Sequence, residues 1–104
     1  MTQKTRLAVL LLAVTAWPAY AQDSAQNLYK TKCASCHGIQ GDAATPMAKA
    51  LKVLPFKDPV MIKASDAQFV ASTKNGKGKM PAYAGKLTDV QIDEVTAYIR
   101  TLQK

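Results

Sequence analysis

The chain has 104 residues, a net charge of +7 and 48% hydrophobic residues. That length holds one domain, excludes a second, and is short for a Rossmann-type α/β fold. Two cysteines and one histidine are all the Cys and His it carries, so a zinc site built from four such ligands is excluded.

The first segment in chain order is a targeting sequence. Lys4 and Arg6 form a basic start, residues 7–16 are apolar but for Thr15, and Ala19-Tyr20-Ala21 is a small-x-small site before Gln22. This is the layout of a secretory signal peptide over residues 1–21, and about ten apolar residues are too few to cross a bilayer. Its removal leaves residues 22–104 as one domain with no transmembrane anchor and twelve basic against seven acidic side chains. The expected destination is the periplasm, or an equivalent secreted or lumenal compartment. So small a domain often needs a staple such as a metal, a disulfide or a cofactor.

The remaining pattern is helical. Asp23 or Ser24 is a candidate N-cap for a first helix, with Ala25, Leu28, Tyr29, Lys32 and Cys36 at helical spacing and Gly38 and Gly41 ending it. A loop with Pro46 and Pro55 follows, with room for a short helix over 47–52. Ser65 and Gln68 form a capping box for a helix over 67–73, stopped by Asn75-Gly76. Thr88 and Gln91 form a second box, ahead of Ile92, Val95, Ile99 and Leu102 on one face of the closing helix. No run alternates as a strand would. Tyr29 and Tyr98 are expected to pack where the first and last helices cross.

Every Cys and His of the chain falls in Cys33-Ala34-Ser35-Cys36-His37. The C-x-x-C-H spacing is the attachment signature of haem c: two thiols become thioethers on the haem vinyl groups, and the next histidine supplies an axial imidazole. A thioredoxin-like pair would call for a βαβ pattern, and a disulfide closing so small a loop would stabilise little. With one histidine, bis-histidine ligation within the chain is impossible, so the sixth ligand is methionine, lysine, water or none. Met80, in Gly76-Lys77-Gly78-Lys79-Met80-Pro81, lies on a loop that glycine and proline constrain, and is the candidate. Met61, in the apolar Val60-Met61-Ile62, reads as core, and Met47 as pocket lining or loop. Leu51, Phe56 and Phe69 read as pocket walls.

These segments resemble the small monohaem class I c-type cytochromes of the compact bacterial and photosynthetic type. The resemblance rests on Cys33-Ala34-Ser35-Cys36-His37-Gly38, on Lys79-Met80-Pro81-Ala82-Tyr83, and on the closing helix over 87–102 with Tyr98. It implies an all-α cytochrome c fold, three to five short helices wrapped around one covalently bound haem. It also matches Ala25 and Tyr29 to the family's first helix, puts Tyr83 in the pocket, and makes the Pro46 carbonyl a candidate acceptor for a hydrogen bond from His37.

With His37 and Met80 on the iron, no site is left for a substrate, and the expected function is soluble one-electron transfer rather than catalysis. Two other readings share the same haem: the electron-accepting subunit of a periplasmic oxidoreductase, and a gas-binding or peroxidatic protein if Met80 is not bound. The expected partners are redox proteins docking on a monomer near the haem edge, through Lys74, Lys77, Lys79 and Lys86. The basic charge also suggests nucleic acid, but export and the lack of basic–aromatic interleaving argue against it.

Overall fold

The computed structural model describes residues 19–104, in the order α1 (Ala19–Lys32), α2 (Ala34–His37), α3 (Pro46–Leu51), α4 (Pro59–Lys63), α5 (Asp66–Asn75) and α6 (Asp89–Leu102). All but the last three residues of the expected export signal lie outside the described residues. No strand occurs among those described, only isolated bridges between Lys77 and Met80 and between Ala84 and Leu87. The fold is all-α, as expected. Counted as one interrupted helix, α1 and α2 bring the number to five.

Local chemistry explains each start and stop. In α5 the Ser65 hydroxyl accepts from the Gln68 amide at 3.1 Å while the Gln68 side chain accepts from the Ser65 amide at 2.8 Å. Thr88 and Gln91 repeat the box at α6 with the same two distances. Both satisfy amides that a helix start leaves unpaired. Two helices follow a simpler rule, a capping side chain and then proline: Thr45-Pro46 opens α3 and Asp58-Pro59 opens α4. The expected first cap is not used. Helix α1 begins at Ala19 and runs through Asp23 and Ser24, because Ala19-Tyr20-Ala21-Gln22 contains no breaker.

Helix α1 packs against α6, and α5 packs against α6 beside it. At the first contact the rings of Tyr29 and Tyr98 are 5.3 Å apart, as anticipated. The core gathers Tyr29, Ala34, Phe56, Phe69, Val95 and Ile99, with Leu28, Cys33, Met61, Tyr98 and Leu102 packed against it. Each large side chain so buried contributes about 1.5–3 kcal/mol. Among the described residues, Tyr29, Ile92 and Val95 are the only large side chains that are fully buried, so the protein-only core is small. Arg100 binds the outer elements together: it reaches Asp66 at 2.8 Å and the Ala64 carbonyl, and lies 4.5 Å over the Phe69 ring.

Candidate functional site

The cysteine–histidine segment is one helical turn offset from α1 at Cys33. The Cys33 amide donates to the Tyr29 carbonyl at 2.9 Å, and the Cys33 carbonyl accepts from His37 at 3.0 Å. Cys33 therefore stands at the junction, Cys36 within α2 and His37 at its end. Both thiols are free and half-buried, with no disulfide between them. Burial, and then the neighbouring Cys36, push the Cys33 thiol up to about 11, so it is protonated at neutral pH. Gly38 ends the turn at φ 85°, where a Cβ would run into the Asp42 carboxylate. Its carbonyl accepts from the Tyr29 hydroxyl at 2.6 Å and from the Gly41 amide at 3.0 Å.

The His37 ring stacks on Phe56, with centroids 4.8 Å apart and planes 15° from parallel. Its Nδ1 is buried without a hydrogen-bond partner. Burial lowers the imidazole pKa, so the ring is neutral at pH 7. A neutral imidazole carries a lone pair, which is the form that binds metals. Because Nδ1 is unpartnered, the expected bond from His37 to the Pro46 carbonyl is not made. Pro46 is exposed at the start of α3. A different side chain joins the segments: the Thr45 hydroxyl donates to the Ser35 carbonyl at 2.8 Å and accepts from the Ala48 amide at 3.0 Å. Sequence reasoning passed over Thr45, although a Thr-Pro step before an apolar stretch is a capping signal.

Met80 is half-buried on a tight turn. Its amide donates to the Lys77 carbonyl at 2.9 Å and its carbonyl accepts from the Lys77 amide at 3.1 Å. The loop then folds back on the end of α5, where the Tyr83 and Ala84 amides donate to the Thr73 and Lys74 carbonyls at 2.9 and 3.0 Å. Gly76, at φ 77°, permits this approach: a Cβ there would lie 2.8 Å from the Met80 carbonyl oxygen. Across the molecule the Tyr83 hydroxyl donates to the Lys32 carbonyl, one residue before Cys33, at 3.0 Å. Burial raises the Tyr83 pKa, and Cys33 and Cys36 add to the shift.

Among the anticipated walls, Tyr29, Phe56 and Phe69 are buried together, with Phe56 6.4 Å from Tyr29 and 6.1 Å from Phe69. Leu51 is half-buried. Met61 packs on the core, whereas Met47 is 51% exposed on α3. Of the four lysines, Lys77 and Lys79 are exposed beside Met80. Lys74 pairs with Asp89 at 3.1 Å, and the Lys86 ammonium lies 6.0 Å from the centre of the Tyr83 ring.

Residues 21–99 match the family model described as cytochrome c oxidase, cbb3-type, subunit III. The chain is 34% identical over 103 residues to the cytochrome c6 of Synechococcus sp., covering 94% of this chain and 89% of that one. To the cytochrome c6 of Nostoc sp. it is 36% identical over 84 residues, covering 79% and 73%. Among solved structures it is similar to the KustC0563 c-type cytochrome, with a TM-score of 0.71 and 26% identity, covering 77% of this chain and 98% of that one. The chain belongs to the small monohaem class I c-type cytochromes, which are electron-transfer proteins rather than enzymes, and with that membership comes one covalently bound haem c. Its own residues fit that group: two unbridged thiols on one turn, and beside them a neutral imidazole with a buried nitrogen that no protein group satisfies.

Proposed function

Starting from that membership, we propose that this chain is an exported, soluble, periplasmic one-electron carrier whose haem iron is held by His37 and Met80. Cys33 and Cys36 carry the thioether bonds, and α1 and α6 brace the turn on which they stand. The bound haem supplies an iron that takes up and releases one electron. His37 would supply a neutral imidazole to that iron and Met80 a thioether. Phe56, Phe69, Tyr29 and Leu51 keep water from the centre, which tunes the potential. With both side chains held on the iron, no position would be left for a substrate.

The observation that carries this reading is the anchoring of the Met80 loop. It is fastened to the end of α5 by two backbone bonds and to the residue before Cys33 by a third bond. The test is to follow the weak thioether-to-iron charge-transfer band of the ferric holoprotein through three variants. Met80→Ala abolishes it, while Met61→Leu and Met47→Leu keep it. Survival of the band in Met80→Ala, with loss in Met61→Leu, would move the ligand to Met61.

Electron donors and acceptors are proposed to be proteins of acidic surface. Lys77 and Lys79 form no ion pair among the described residues and are exposed just ahead of Met80. Lys74 and Lys86 stand behind them with their charges partly engaged.

A further inference from the structure

Met80 lies more than forty positions after His37 in the chain, yet one side chain joins the methionine loop to the haem-attachment segment. The Tyr83 hydroxyl donates to the Lys32 carbonyl at 3.0 Å. Both backbone bonds of Met80 stay within its own turn, to Lys77. The Tyr83 and Ala84 amides tie the loop to α5, not to the cysteine segment. Among the described residues, the Tyr83 hydroxyl is thus the only hydrogen-bond donor or acceptor of residues 76–87 that reaches residues 32–37. The acceptor is well chosen for leverage. Lys32 is the last residue of α1, and its carbonyl precedes Cys33, where the helix is offset.

We propose that Tyr83 is a positioning residue for the sixth ligand. Its hydroxyl clasps the Met80 loop to the attachment segment and biases the loop toward the iron-bound state. The inference rests on Met80 being the axial ligand. A loop that can swing off the iron is held by the free-energy difference between its closed and open states. A hydrogen bond present only in the closed state shifts that equilibrium by its own net worth.

The test is an imidazole titration of the ferric holoprotein, read by loss of the thioether-to-iron band. Imidazole competes with Met80, so its apparent affinity reports how firmly the loop is closed. Tyr83→Phe keeps the ring and removes only the hydroxyl. It is expected to bind imidazole about 3- to 10-fold more tightly than the parent protein, the factor that follows from one ordinary hydrogen bond. Tyr98→Phe is the control, because the Tyr98 hydroxyl makes no hydrogen bond among the described residues; its imidazole affinity stays at the parental value. A hydroxyl that merely stabilised the fold would lower the melting temperature of Tyr83→Phe and leave imidazole affinity unchanged. That result, with the band present in the parent, overturns the clasp and spares the ligand assignment. A parent protein that lacks the band overturns both.

Discussion

Tyr29 does more than fill the crossing of two helices. Its ring is fully buried, and its hydroxyl fixes the carbonyl of Gly38, the residue immediately after His37. Tyr29→Phe removes that bond while leaving the Gly41 amide on the same carbonyl. The expected cost is therefore that of one lost hydrogen bond, about 1 kcal/mol, and not the larger cost of an unpartnered group. Denaturant unfolding of the holoprotein checks it. The same side chain sets an alkaline limit. Burial, with smaller contributions from Cys33, Tyr98 and Asp42, raises the Tyr29 pKa above its ordinary value near 10. Its contribution is complete below pH 10. Above that the unfolded chain releases the proton and the native one does not, so stability falls as pH rises. Tyr29→Phe has a flatter alkaline limb, and parallel limbs in the two proteins would contradict this assignment.

Elements whose signals are local were legible in the sequence. Both capping boxes appear as read, and the helices after them stop close to where expected, α5 at Asn75 before Gly76. The C-x-x-C-H turn was equally clear, because the chemistry itself fixes its spacing. Helix α4 was not foreseen: five residues carry too few apolar positions to show a period, and its only signal is the Asp58-Pro59 step. In the uncut chain α1 starts earlier than the expected cap at Asp23 or Ser24, because residues 19–22 also favour a helix and continue it backwards. The braces between elements were the least legible. Tyr83 to Lys32, Thr45 to Ser35 and Arg100 to Asp66 are bonds between partners that only the tertiary fold brings together. The missing His37–Pro46 bond belongs to the same class, since no local pattern says which carbonyl faces a ring nitrogen.

At the scale of the whole molecule, a small core and one staple account for both stability and function. Two helices cross at Tyr29 and Tyr98, a short turn carries both thiols and the histidine, and a looped-back segment carries the methionine. Two exposed lysines, Lys77 and Lys79, lie on that last segment. Electron exchange with an acidic redox partner is expected to slow several-fold as salt rises to physiological ionic strength, because charges on exposed lysines are screened beyond about a Debye length. Replacing Lys77 and Lys79 with glutamine flattens that dependence, and an unchanged salt slope would place the docking surface elsewhere. The most direct test of the central claim, an iron closed on both sides by His37 and Met80, is the visible spectrum of the reduced holoprotein with and without carbon monoxide. The account predicts that the two spectra coincide. A shift on adding carbon monoxide would show an open coordination position and turn the reading to a gas-binding or peroxidatic haem protein.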